Sequence, residues 1–523
     1  MGNASIAVPP MNDSTEELRQ RKNRALDMGG GEKIAKIHAR GGLTARERID
    51  LLLDPGSFFE IGMLNHSDIG EMEQKTPADG KVCGFGAIDG RPVAISTDDV
   101  TVLAGSGGRV GMAKALRIQE IAKQKGMPIV HLGEAGGARI PDIQGSDGLS
   151  SMTFKAEMGR RVRQVPMVAT IMGDCFGSPA WQAALADFVV QVKGSCLAVS
   201  GPRVLEMATG ERVEMEELGG WKLHSEVTGQ ADRVADDERE CLQLVRDFLA
   251  YLPSHAAELP PRVLTSEDAE TRQAQLSGMV PIESNRGYDM HRVLRVIFDG
   301  ERVFPVKPDF DRSVITALAR LDGHAVGIIA NNPSKLSGAM GPEGCDKCCA
   351  FICLCDSFNI PLIFVHDTPG FRVSKDAEAK RMPGKIINFI EALALATVPK
   401  LSLVVRKSYG MAYSNMAAPG MDADFYFAWP TADISFMAPE VAANVVHQRK
   451  IKAAPDPKQA WAAAVEEMRL GSTPWRAAGV GYLDDIIEPA QTRSVLIRAL
   501  DLARNRGRGG KSERLLAAWP TTM

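Results

Sequence analysis

Apolar residues along this chain come in two alternating rhythms. Short continuous runs, such as Pro128 to Leu132 and Pro361 to Ile363, have the length and flanking turns of strands buried on both faces. Between them lie stretches in which apolar residues recur every three or four positions, Ala113 to Lys125 and Lys347 to Asn359, and these predict amphipathic helices. Strand, glycine-rich loop, helix, strand and second glycine-containing loop follow in that order, the pattern of an α/β layered fold. Ahead of them, the charged segments Glu16 to Asp27 and Glu32 to Ala39 are split by Gly29-Gly30-Gly31 and predict surface or assembly helices.

The arrangement occurs twice. Ile88-Asp89-Gly90 with Val93 and Ile95 matches Leu321-Asp322-Gly323 with Val326 and Ile328, a constant offset of 233 residues. The same offset carries Pro128-Ile129-Val130 onto Pro361-Leu362-Ile363, Glu134 onto Asp367, Gly137 onto Gly370, Arg139 onto Arg372 and Cys175-Phe176-Gly177 onto Ser408-Tyr409-Gly410. After a short insertion, Gly201-Pro202-Arg203-Val204 pairs with Ala438-Pro439-Glu440-Val441 at an offset of 237. Matched positions agree in element type as well as residue type, which identifies an internal duplication. The boundary falls between Leu259-Pro260-Pro261 and the second copy, giving expected domains 1–275 and 276–523.

The 61 Lys plus Arg and 65 Asp plus Glu leave a net charge of −4, so no global field gathers nucleic acid or an anionic membrane. No apolar run approaches the roughly 18 residues of a membrane span, and a cytoplasmic protein is expected. Nine cysteines without a secretory signal point to free thiols. Five crowd into Cys345, Cys348, Cys349, Cys353 and Cys355. The CxxC spacing of Cys345 and Cys348 permits a metal, but KCCAFICLC reads as a buried helical face and no metal is expected.

Three loops carry candidate chemistry. Glu134-Ala135-Gly136-Gly137-Ala138-Arg139 follows a strand, and its paired glycines let backbone N–H groups approach an oxyanion without intervening side chains. Arg406 to Tyr413 follows another strand and opens a helix, whose start offers unpaired N–H groups. Leu103 to Gly111 invites a dinucleotide reading, but starting GxGxxG at Gly105 puts Val110 where the last glycine belongs. Gly173-Asp174-Cys175-Phe176-Gly177 has nucleophile-elbow spacing and keeps a thioester hydrolase as an alternative, without an evident His partner.

Beyond these loops the chain resembles the β subunits of propionyl-CoA and acetyl-CoA carboxylases. The resemblance rests on Gly42-Leu43-Thr44-Ala45-Arg46-Glu47-Arg48-Ile49, the GGAR loop, Thr209-Gly210-Glu211, Glu217-Leu218-Gly219-Gly220, Phe358-Asn359-Ile360-Pro361-Leu362 and Ala428-Trp429-Pro430-Thr431-Ala432. It implies two tandem crotonase-like domains (the ClpP/crotonase fold) and a hexamer, a trimer of dimers, with sites between the first domain of one subunit and the second of another. It implies transfer of a carboxyl group from biotin, carried by a partner, to the α-carbon of an acyl-CoA, propionyl-CoA being favoured. A biotin-dependent decarboxylase running the same chemistry in reverse is the related alternative. The chain shows no Met-Lys-Met attachment sequence and no ATP-grasp segment, so a biotin carboxylase and a biotin carboxyl carrier subunit are the expected partners.

Carried over residue by residue, the resemblance places the thioester oxygen on Gly136 and Gly137, with Ala138 and Arg139 at the substrate. It places the biotin ureido oxygen on Met411 and Ala412 beside Gly410, with Tyr409 and Tyr413 at the cofactor. Where the family reads AYGGAYD, this chain has Ser408-Tyr409-Gly410-Met411-Ala412-Tyr413-Ser414, so Met replaces a Gly and Ser414 replaces an Asp in the acyl-pocket region. Such a change shifts acyl-chain preference by roughly 1 to 3 kcal/mol. On this assignment Gly137→Val abolishes transfer while the chain still folds, and undiminished turnover in a carboxylation assay counts against the loop.

Overall fold

The computed structural model describes residues 11–151, 161–264, 269–504 and 514–519. The chain separates into two compact units. Unit 1 takes the described residues of Met1–Arg160, Val165–His224 and Val234–Asp247; unit 2 takes those of Arg161–Gln164, Ser225–Arg233 and Phe248–Met523.

Unit 1 is built on β1 (Phe59–Ile61), β2 (Lys81–Ile88), β3 (Arg91–Asp98), β4 (Ile129–Ala135), β5 (Met167–Phe176), β6 (Phe188–Val192), β7 (Cys196–Ala198) and β8 (Arg233–Ala235). Their order is β1-β2-β3-β4-β5-β6-β8, with β7 added to the end of β5. Unit 2 repeats the plan with β9 (Val303–Val306), β10 (Val314–Leu321), β11 (His324–Asn331), β12 (Leu362–Thr368), β13 (Lys400–Tyr409), β14 (Phe425–Ala428), β15 (Asp433–Ser435) and β16 (Asp485–Ile486). There β15 is added to the end of β13. Each sheet opens with an antiparallel hairpin, β2–β3 or β10–β11, whose Asp89-Gly90 and Asp322-Gly323 turns need positive φ. Parallel strands follow through helical crossovers. The strands read as continuous apolar runs because helices cover the sheets, and β4 and β12 are buried at every position.

The two long crossover helices start earlier than their apolar periodicity predicts, at Arg109–Lys125 and Pro342–Ser357. Gly111, which the sequence places in a loop, lies in the first turn of the former. It is glycine because a Cβ there would stand 2.8 Å from the Asp79 carbonyl, and the Asp79 carboxylate takes its N–H. All five cysteines of helix Pro342–Ser357 are buried, and they pack as small apolar groups.

A buried lysine ties each crossover helix to its hairpin. Lys114 Nζ donates to the carbonyls of Gly62, Ala78 and Lys81 at 3.1, 2.7 and 2.6 Å. At the duplicated position, Lys347 Nζ donates to Phe310, Asp311 and Val314 at 2.9, 3.4 and 2.8 Å. Burial pushes both ammonium groups down, Lys347 to about 8. Among the described residues, no helix is long and apolar enough to cross a membrane.

Two buried imidazoles make the fold acid-sensitive. Burial lowers His131, with Lys81 and Lys123 adding to the effect, and lowers His366, each to about 3. Unfolded histidines take up protons near 6.5, so between pH 6.5 and 3 the unfolded chain binds more protons than the folded one. Stability is complete above pH 6.5 and is lost on acidification by about 1.4 kcal/mol per pH unit for each histidine. Denaturant titrations at pH 7 and pH 5 measure this loss, which H131Q/H366Q reduces.

Candidate active site

In each unit the two central parallel strands lose register at their carboxyl ends. Gly133 stands opposite Ile171, but Ala135 stands opposite Cys175; His366 faces Val404, but Thr368 faces Ser408. Two extra residues are therefore taken up by β5 and by β13, and both strands swing away to pair with β7 and β15. Such a break leaves main-chain groups without ladder partners.

A buried carboxylate sits at each break. Glu134 is held by Arg48 and by Arg40, the latter at 2.7 Å, and Arg48 reaches Glu238 at 2.7 Å. Burial opposes the charge on Arg48, but its hydrogen bonds to Glu238 and the charge of Glu134 outweigh it and raise its pKa. Asp367, at the duplicated position, is held by Arg406 at 2.9 Å, Lys407 at 3.4 Å and the Tyr288 hydroxyl at 2.8 Å. The cations differ in origin: in unit 2 they come from β13 itself, whereas Gly173 and Asp174 occupy those places on β5. A cavity of about 430 Å³ opens there in unit 1, lined by Arg40, Glu134, Gly136, Asp174, Lys193 and Ser195 among others.

The main-chain donors can now be accounted for. Gly136 N–H, expected as an oxyanion donor, donates to the Ala104 carbonyl at 2.9 Å and is not free. Gly410 N–H is likewise engaged, with the Ser435 carbonyl at 3.2 Å, and Gly177 N–H with Val199 at 3.2 Å. Among the described residues, the N–H groups of Gly137, Ser178, Met411 and Ala412 have no protein acceptor. Gly137 and Ser178 belong to adjacent loops, since a Cβ on Gly137 would stand 3.9 Å from the Phe176 carbonyl. Met411 and Ala412 open the helical turn Ala412–Asn415 after Gly410, which adopts φ +60°.

Ser178 was missed by the sequence reading, although the signal was present. The offset that aligns Gly177 with Gly410 makes the loop after β5, not the GGAR loop after β4, the counterpart of the Gly410 turn. Gly137 has φ +109°, so a valine there is strained by the backbone itself and Gly137→Val is not neutral for folding.

The remaining expected residues separate clearly. Arg139 is 3% exposed and binds Asp142 at 2.8 Å and also Asp79. Its guanidinium lies beneath Gly108, where a Cβ would collide with it, and its Nη1 has no hydrogen-bond partner among the described residues. Ala138 is exposed and bridges to Gly107. Tyr409 is buried with its hydroxyl donating to Asp433 at 2.5 Å, which anchors the strand end. Tyr413 is half-buried against Tyr482, Ser414 is buried, and Met411 is 50% exposed. Cys175 is fully buried and its thiol is pushed well above the ordinary range, first by burial and then by Asp98, the opposite of an activated nucleophile.

A family profile described as "Carboxyl transferase domain" matches residues 36–515. The propionyl-CoA carboxylase carboxyltransferase subunit of Haloferax mediterranei is 38% identical over 506 residues, covering 95% of this chain and 97% of that protein. The methylmalonyl-CoA decarboxylase subunit alpha of Veillonella parvula is 37% identical over 490 residues, covering 92% and 94%. Among solved structures, the transcarboxylase 12S hexamer with methylmalonyl-coenzyme A bound superposes with a TM-score of 0.88 at 35% identity, covering 96% of each chain.

The cysteines provide a direct check on this burial. A chromogenic disulfide reagent is expected to titrate fewer than one thiol per native chain and nine after denaturation.

Proposed function

Because the chain belongs to the carboxyl transferase domain family, we propose that it moves a carboxyl group between biotin and the α-carbon of an acyl-CoA, with main-chain amides as its catalytic groups. The observation that carries this reading is the set of four unpartnered N–H groups at the duplicated strand ends: Gly137 and Ser178 in one unit, Met411 and Ala412 in the other. Each is the donor type that stabilises a developing oxyanion, and each is fixed in advance by the sheet, so little reorganisation is needed when charge appears.

Biotin, when carboxylated and bound, supplies the carboxyl group and a ring nitrogen that accepts the α-proton. The residues present suit such a group: Gly410 turns the backbone so that the Met411 and Ala412 amides follow one another, and Met411 is half exposed. Those amides hold negative charge on the ureido oxygen, which favours release of the carboxyl group. The Gly137 and Ser178 amides hold negative charge on the thioester oxygen, which lowers the pKa of the α-carbon. No side-chain nucleophile is required, in keeping with a buried Cys175 and with His131 and His366 held neutral.

A propionyl-CoA-like substrate is supported by the Haloferax relative, and in the carboxylating direction a biotin carboxylase and a biotin carboxyl carrier are the partners that a biotin-dependent carboxylase needs. A hexamer is supported by the transcarboxylase 12S relative. The decarboxylating direction has its own support in the Veillonella relative, and the test is whether malonyl-type thioesters are made or consumed.

The amides can be deleted one at a time. Met411 has φ −63°, which proline adopts without strain, and Ser178 occupies the first helical position, where proline is favoured. Met411→Pro and Ser178→Pro are each expected to lower kcat about a hundredfold or more with circular dichroism and assembly unchanged. Full activity in both would overturn the reading.

A further inference from the structure

We propose that Trp181 is a specificity-determining residue that holds the acyl chain of the thioester. The inference rests on the reading that Ser178 helps hold the thioester oxygen. Helix Ser178–Leu185 turns Ala180 and Ala183 into the core of unit 1, yet leaves Trp181 45% exposed. Tryptophan is among the most buried residue types on average. Among the described residues, its indole makes no ring or cation contact, whereas Trp221 lies beside Lys193 and Lys222.

Its place in the helix gives that exposed ring a direction. Trp181 N–H donates to the Gly177 carbonyl at 3.1 Å, which closes the first turn after Gly177. Residues three apart share one face of a helix, roughly 5 to 6 Å between Cβ atoms, and helical side chains lean toward the N-terminus. The indole therefore leans over the turn that carries the free Ser178 amide.

The duplication supplies a second, independent observation. In the first and fourth places after the shared glycine, unit 1 has Ser178 and Trp181, and unit 2 has Met411 and Ser414. Met411 is 50% exposed, Trp181 45%, and Ser414 only 8%. Each donor turn thus presents one large apolar side chain, at the fourth place in unit 1 and at the first in unit 2. Isolated apolar side chains on a surface need no explanation, but one at each of two equivalent donor turns is the composition of a ligand wall. A flat apolar ring next to the thioester carbonyl suits the methylenes of an acyl chain, whereas the adenine of CoA, on which an indole also stacks, is held a pantetheine arm away from that carbonyl.

Two measurements on the full chain test this. Tryptophan fluorescence is titrated with hexanoyl-CoA, propionyl-CoA and free CoA, with Trp181→Phe as the blank. In the assembled enzyme, kcat/KM is measured from acetyl-CoA to hexanoyl-CoA for the parent, Trp181→Ala and Trp181→Phe. The Trp181 signal is expected to respond to hexanoyl-CoA and not to free CoA. Trp181→Ala is expected to lose about tenfold more kcat/KM with hexanoyl-CoA than with acetyl-CoA, and Trp181→Phe to recover most of that difference. Equal quenching by free CoA, no response to any thioester, or a chain-length profile parallel to the parent's would overturn the assignment. Ser178→Pro reports on the donor turn separately, so a failure of that reading is distinguishable from a failure at Trp181.

Discussion

The structure depends on a break in register between two parallel strands, made twice. A regular ladder would engage every amide at the ends of β4, β5, β12 and β13. Two extra residues in β5 and in β13 divert those ends onto β7 and β15, so the glycine amide of each turn is used by the sheet and the amides just after it remain free. The free donors are thus a by-product of strand pairing. Their positions are set by the central strands of each sheet.

Such a break has to be held open, and both units use a buried carboxylate with surrounding cations. Glu134 and Asp367 are 3% and 0% exposed, depths at which an unpaired charge is strongly unfavourable. In unit 2 the cations come from the bulged strand, and Arg406 also donates to the carbonyls of Glu283 and Arg286. In unit 1 they arrive from Arg40 and Arg48, and Gly173 and Asp174 leave a cavity beside the loop. The duplicated plan was kept while the source of charge changed, so the two donor turns stand in different electrostatic surroundings.

Much of this was legible in the primary structure. Alternating apolar runs and helical stripes indicated α/β layers, and a constant offset of 233 revealed two copies because corresponding strands, turns and buried groups keep their spacing. The Lys114 and Lys347 staples fall on that offset although neither was singled out. The strong motifs pointed to the family whose profile covers residues 36–515. They did so without any side-chain nucleophile to guide the search.

The sequence alone determined the layered fold, its duplication and the chemistry of glycine-rich turns, because periodicity and spacing are properties of the chain itself. Only the tertiary structure decided which amides are free, since that depends on carbonyls distant in sequence: Ala104 engages Gly136, Ser435 engages Gly410, and Gly137, Ser178, Met411 and Ala412 are left over. It also brought Asp79 and Asp142 against Arg139, and Asp433 against Tyr409, from places that no motif marks. A motif can name a residue's type and neighbourhood, but whether its polar group is already bonded is settled by the groups that folding brings to it.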